Sequence, residues 1–375
     1  MTGLSTRAIH GGDDTSRVPD VIPPINIATT YKYESDPENL IKYADIEQNG
    51  EVNGGGFYYS RFSHPNSELV EHSVKAITNA HVVAYSSGLS AFHAALTHYN
   101  PKVLAFGDVY HGNIGVANIF TRNQGLKQVG VDNFDQLGKG DLVLLETPVN
   151  PDGTVKDISY YAENAHKRGA YLIVDSTFAP PPLQDPFEFG ADMVLHSATK
   201  FFGGHSDLLA GFLLTKSEEV RKQLFEDRKM LGTIIPNLES SMLLRSLKTL
   251  ELRVLKQSQN ATQIVRYFSE NKDKFPALAK IDHGSLQSES FVKQQMPNGD
   301  SPVFTISLVD EKTAKYFPSK LKYFHHATSL GGVESLIEWR ALSDPRVSPT
   351  LLRVSIGIEN VEDLIEDLSQ ALRAS

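Results

Sequence analysis

The segment DMVLHSATKFFGGHSD, Asp192 to Asp207, closes a short apolar run by presenting Ser197, Thr199 and Lys200 together. Most lysines are solvated surface charges, but one placed among hydroxyls at a strand end can form an imine with an aldehyde. Other polar residues follow apolar runs in the same manner. Asp108 and Tyr110 come after VLAF, Glu146 and Asn150 after DLVLL, and Asp175 after YLIV. Ser87-Gly88-Leu89 stands where a helix would start, and a helix start offers free amide hydrogens and a positive dipole end to a phosphate. Ser197 and Thr199 add hydroxyl donors, and an aspartate at a strand end can hold a protonated ring nitrogen. Holding a phosphate, fixing a pyridinium and anchoring an aldehyde are the tasks that pyridoxal 5′-phosphate (PLP) sets its protein.

Each residue also has a plainer reading. Asp175 at a strand-to-helix turn is a cap, Tyr110 is a packed aromatic, Ser87-Gly88 is a turn, and Arg353 is the solvated face of an alternating strand. What decides between the readings is whether the fold collects them. VLAFGD, DLVLLETP, YLIVDSTF, DMVLHS and GFLLTK are short apolar runs with helix-compatible stretches such as SYYAENAHKRG between several of them. That alternation predicts βαβ units and a mostly parallel sheet, in which ligands sit beyond the carboxyl ends of the strands.

The rest of the chain frames this sheet. Residues 1–60 are rich in Pro, Gly, Asn and Tyr and read as an extended arm, with the glycines at 54–56 as a mobile loop. A helical pattern begins at Glu68. From Leu238 to about Glu270 apolar residues recur at three and four without glycine or proline, which predicts one long helix. PVFTISLVD and LLRVSIGIE alternate, and VEDLIEDLSQALRA closes as a helix, so a smaller α+β domain is expected at the end. The domain reading is 1–60 for the arm, 61–237 for a large cofactor-binding α/β domain, and 238–375 for the linking helix and the smaller domain.

Composition narrows the classes. The chain has 375 residues, 40% hydrophobic and 22% charged, as an ordinary soluble globule does. A net charge of −9 argues against nucleic acid or anionic membrane as partner. No run approaches the roughly 20 apolar residues that cross a bilayer, and the N-terminus lacks the apolar core of a signal peptide. A cytoplasmic enzyme is the expectation. The absence of cysteine removes disulfides, thiolate metal sites and a cysteine nucleophile. His205 and Asp207 have no evident third ligand, so no metal site is expected, and no dinucleotide, P-loop or zinc-protease motif is present.

Taken in order, the blocks PPINIATTYKYE, YYSRFSHPN, AYSSGLSA, DVYHGN, LLETPVNP, VDSTFAPPPLQDP, HSATKFFGGHSD, RSLKTLELR, SLGGVESLI and LLRVSIGIE resemble the PLP-dependent trans-sulfuration enzymes of cysteine and methionine metabolism. The resemblance spans almost the whole chain and implies the fold type I, aspartate-aminotransferase-like architecture. It implies that Lys200 is the imine-forming lysine, that Asp175 pairs with the pyridine nitrogen, and that Tyr110 stacks on the ring. Ser87, Gly88, Leu89, Ser197 and Thr199 would hold the phosphate. Tyr59 and Arg61 would reach the phosphate of a neighbouring subunit in a homo-oligomer, a dimer of dimers in related proteins. Arg353, with Asn150 and Ser329, would clamp the carboxylate of an amino-acid substrate.

The implied reaction is formation or cleavage of cystathionine at Cγ, with β-cleavage as the alternative; a PLP-binding protein with a regulatory role is the reading from a different class. The sequence departs from the family on the substrate side. Thr328 stands where the cystathionine-processing members usually carry Glu, and EWRALSDPRVSPTLLR replaces a longer loop while introducing Trp339 and Arg340. His64-Pro65-Asn66 replaces the usual Asn-Pro-Thr.

Overall fold

The apolar runs form strands whose successive side chains bury on opposite faces, as a sheet covered on both sides requires. The computed structural model describes residues 2–15, 18–40, 42 and 57–375; the glycines at 54–56 lie outside them. The first sheet comprises β1 His81–Tyr85, β2 Val103–Phe106, β3 Lys127–Gly130, β4 Leu142–Glu146, β5 Tyr171–Asp175, β6 Met193–His196 and β7 Gly211–Thr215. Their order is β1-β7-β6-β5-β4-β2-β3. β7 runs antiparallel to β1 and β6, and every other neighbouring pair is parallel. Val143, Leu145, Leu172 and Val174 enter the core on one face, and Leu142, Leu144 and Ile173 enter the core on the other.

Two strands of this sheet fall outside the apolar runs singled out from the sequence. β1 directly follows the helix Pro65–Thr78, whose pattern conceals it. β3, KQVG, has no fully buried residue and occupies a sheet edge, where apolar patterning is not needed. The helix itself starts at Pro65 rather than Glu68. His64 caps it, its Nδ1 accepting from the Ser67 amide at 3.2 Å while the Ser67 hydroxyl oxygen accepts from the His64 amide. Its Nε2 lies 3.0 Å from the Ile235 carbonyl. The imidazole at this departure from the family pattern is therefore a helix cap.

The expected long helix is two helices, Asn237–Leu247 and Leu250–Glu270. The break has a local cause. The Ser246 carbonyl accepts from the Thr249 amide at 3.2 Å and from Arg253 Nη2 at 2.9 Å, so its bonding goes to these groups instead of continuing the helical ladder. Arg253 Nη1 also donates to the Phe201 carbonyl at 2.8 Å, tying the second helix to the turn that carries Lys200. Gly204, in that turn, has φ 67°, and a Cβ on it would lie 1.9 Å from Arg253 Nη1. The second glycine of KFFGG is there because the guanidinium passes over its backbone.

The smaller sheet contains β8 Leu278–Asp282, β9 Val303–Leu308, β10 His325–His326, β11 Leu336–Trp339 and β12 Leu351–Ser355, ordered β10-β11-β12-β9-β8. Only β10 and β11 pair in parallel. β9 and β12 are buried on nearly every residue despite their alternation. The helix Val361–Arg373 and the C-terminal part of Leu250–Glu270 pack further apolar side chains into this core, joined by others such as Phe275, Phe317 and Phe324. Among the described residues, no helix is long and apolar enough to cross a membrane.

Candidate active site

A cavity of about 360 Å³ opens beyond the carboxyl ends of the parallel strands, between the two sheets. Ser87, Gly88, Leu89, Tyr110, Asn150, Asp175, Ser197, Thr199, Lys200, Ser329 and Arg353 all line it. The topology produces this convergence. β4, β5 and β6 are adjacent and parallel, so the residues that end them emerge side by side.

One end of the cavity is an anion cradle. Ser87 caps the helix Gly88–Tyr99, its hydroxyl accepting from the Ser90 amide at 3.0 Å. The amides of Gly88 and Leu89, at the first two helical positions, have no intrahelical acceptor. A Cβ on Gly88 would lie 3.0 Å from Ser197 Cβ and 3.1 Å from its Oγ, so glycine lets the helix start approach the β6 end. Thr199 reaches the cavity, but its hydroxyl is committed: Oγ1 donates to the Ala210 carbonyl at 3.2 Å and accepts from the Ala210 amide at 3.0 Å. It pins the lysine turn to the chain leading into β7.

At the other end Asp175 is buried and accepts from three neutral donors. The Thr177 amide and hydroxyl bond to Oδ1 at 3.1 and 2.6 Å, and Asn113 Nδ2 bonds to Oδ2 at 3.3 Å. Thr177 Oγ1 in turn accepts from the Ser197 amide at 2.9 Å, linking β5 to β6. Burial pushes the Asp175 carboxyl up against these hydrogen bonds. Such a carboxylate calls for a cation opposite it, and a protonated pyridine nitrogen is one. Asp175 caps no helix; its side chain is spent on the strand-end turn and the cavity. Glu146 lies beside it, held by the Tyr110 amide at 2.6 Å, and burial, then the Asp175 charge, raise its carboxyl well above the usual range.

Lys200 lines the same cavity. Its Nζ donates to Ser329 Oγ at 2.8 Å, and Ser329 holds φ 84°, a left-handed conformation uncommon for serine. Burial, aided by the Arg353 charge and opposed by Glu338, lowers the ammonium to about 8. The Tyr110 ring, at the start of the helix His111–Gln124, is 40% exposed, as a ring that faces a cavity would be.

Arg353 departs most from its plainer reading. It is buried on β12, donating to Asn150 Oδ1 at 3.2 Å, to the Ser329 carbonyl at 3.0 Å and to Glu338 Oε2 at 2.6 Å. Glu338 is its cross-strand partner on β11. Arg340 Nη1 reaches the same Glu338 oxygen at 3.0 Å, and Ser343 donates to Oε1 at 2.6 Å. Trp339 is buried, its Nε1 donating to the Pro349 carbonyl at 2.7 Å. Sequence reasoning gave no role to Asn113, Glu146, Thr177, Glu338 or Arg340. The D-x-T spacing and the position of Asn113 one turn past Tyr110 were usable signals for two of them; the Glu338 pairing depends on strand register.

Tyr59 and Arg61 do not line this cavity. Arg61 Nη1 donates to the Lys229 carbonyl at 2.6 Å, and its guanidinium lies 4.8 Å from the Phe62 ring centroid and 5.7 Å from that of Tyr59.

The free helix start, the buried carboxylate and the lysine, gathered in one cavity, fit PLP. Residues 5–373 match the model of the Cys/Met metabolism PLP-dependent enzymes. The chain belongs to that family. Cystathionine beta-lyase of Lactococcus lactis subsp. cremoris is 33% identical, with 99% of each chain covered. Cystathionine gamma-lyase of Saccharomyces cerevisiae is 34% identical over 99% of this chain and 97% of its own. Among solved structures, the cystathionine gamma-lyase CalE6 of Micromonospora echinospora superposes with a TM-score of 0.88 at 29% identity, covering 100% of both chains. The fold is therefore the PLP-dependent fold type I, and PLP is the cofactor of this family member.

Proposed function

We propose that this enzyme forms or cleaves cystathionine at Cγ. The observation that carries the reading is Lys200 Nζ, its ammonium lowered to about 8, lining one cavity together with the Asp175 carboxylate and the Arg353 guanidinium. Bound PLP supplies an electron sink for a carbanion at the substrate Cα. Arg353 and Asn150 receive the substrate carboxylate, which orients Cα. Lys200 takes the Cα proton, and its lowered pKa places it near the working range of a general base. Chemistry at Cγ needs a second proton removed at Cβ. Lys200 is held by a single hydroxyl, Ser329 Oγ, which leaves it free to swing between the two carbons. Asp175 would keep a positive charge on the bound ring favourable, Tyr110 would pack against the ring, and Ser87, Gly88, Leu89 and Ser197 would hold the phosphate.

The exposed arm supports an oligomeric site. Val21, Ile22, Ile25 and Ile27 are 93, 74, 62 and 75% exposed, an apolar run that a second copy of the chain would cover. Asn66 and Asn237 fix its base by donating to the Pro24 and Asn26 carbonyls. In this arrangement Tyr59 and Arg61 serve the neighbouring subunit's phosphate.

The Lactococcus relative favours β-cleavage as the second reading. Incubation with cystathionine, with an O-acylhomoserine plus cysteine, and with methionine, followed by mass identification, separates these. Cystathionine formed, or 2-oxobutyrate released from it, is the expected outcome. Pyruvate from cystathionine would assign the β-reaction instead, and no product from any of the three would overturn both.

A further inference from the structure

The segment after β11 is the part of the cavity wall that the sequence marked as unusual, and its charges are arranged around one carboxylate. Glu338 and Arg353 face each other across β11 and β12, both buried. Left as a pair, Glu338 would cancel the guanidinium meant for the substrate and would repel an incoming carboxylate, and in a desolvated site both effects are far larger than in water. Arg340 changes the balance. Its Nη1 lies 3.0 Å from Glu338 Oε2, the oxygen that also accepts from Arg353, while Ser343 bonds the other oxygen. Arg340 is not neutralised in turn. Its Nη2 is 3.8 Å from Asp344, and that carboxylate is held by Arg346 through two bonds of 2.8 Å. In direct contact, three guanidiniums therefore share two carboxylates, with Asp108 acting on the outermost of them, Arg346, and both Arg340 and Arg353 line the cavity.

We propose that Arg340 is a positioning residue that engages Glu338 and so leaves the Arg353 charge available to the substrate carboxylate. This rests on the reading of Arg353 as the carboxylate clamp. Burial and the neighbouring Arg340 charge hold Arg353 down, to about 10, against the pull of Glu338. With Glu338 shared between Arg340 and Arg353, a substrate carboxylate arriving at Arg353 would supply a second negative partner. Selectivity follows for amino acids with a free α-carboxylate over their amides.

The test titrates the holoenzyme and its variants with L-serine and with L-serinamide, following the visible spectrum, and measures KM and kcat on the preferred substrate. Arg340→Met is expected to weaken L-serine by about tenfold, to leave L-serinamide unaltered, and to place most of the loss in KM. Glu338→Gln added to it should restore L-serine to within about threefold of the parent, because the competing charge is gone. Equal weakening of both ligands, or no restoration by the second change, would overturn the proposal. Should Arg340→Met not fold, the double variant and Glu338→Gln alone still decide: tenfold weaker L-serine binding in either overturns it. Arg353→Met is the control for the underlying reading. If it spares L-serine, the clamp itself is misassigned and the proposal fails with it; if it weakens L-serine while Arg340→Met does not, the proposal alone fails.

Discussion

The two halves of the cavity are built by different physics. On the side of the seven-stranded sheet, where we place the cofactor, the groups are held by neutral partners from strand ends and helix starts: Asp175 by Thr177 and Asn113, Glu146 by the Tyr110 amide, Ser87 by the helix it caps. On the proposed substrate side Arg353, Glu338 and Arg340 hold one another by charge, on a five-stranded sheet and the segment that follows β11. Neutral hydrogen bonds fix geometry without spending charge, so the full charge of Asp175 faces the ligand. An ionic network divides its charge among its members, and a change in any one of them redistributes it. A conserved cofactor with a variable substrate suits this division.

The contrast can be broken most directly at Lys200. Lys200→Ala should remove the visible absorbance of the bound cofactor and lower turnover by about 10³-fold or more; a variant that stayed yellow and active would point to another lysine. Asp175→Asn keeps the shape and discards the charge, so turnover should fall by about 10²- to 10³-fold while the fold melts nearly where the parent does. Gly88→Ala sets a methyl 3.0 Å from Ser197 and should weaken PLP by roughly tenfold, measured by equilibrium dialysis.

The lowered pKa of Lys200 gives a pH test on the cofactor-free protein. Only the neutral amine attacks an aldehyde, so recovery of absorbance on adding PLP should speed up as pH rises, by roughly fivefold from 7 to 8, and level off above a pKa of about 8. A rate still climbing tenfold per unit at pH 9 would mean that the burial has no such effect. The smallest change expected is Trp339→Phe. Loss of the Pro349 hydrogen bond and some volume should cost about 1–2 kcal/mol by denaturant unfolding, sharpening whether the substrate wall depends on the packing of its unusual segment.

Chain order and apolar patterning alone placed Asp175, Asn150, Ser197 and Lys200 at or just past strand ends, because a continuous apolar run followed by a polar break has few other solutions and parallel strands put such breaks on one edge. The helix start at Gly88 was legible for a similar reason: a serine cap before an apolar helix leaves free amides whatever surrounds it. Tertiary structure decided what depends on partners distant in sequence. The Thr199 hydroxyl went to Ala210, the Leu238–Glu270 helix broke where Arg253 claimed the Ser246 carbonyl, and Arg353 was buried against Glu338 instead of solvated. Which charges share a wall is set by strand register and by loops that close around them, and local sequence carries no record of either.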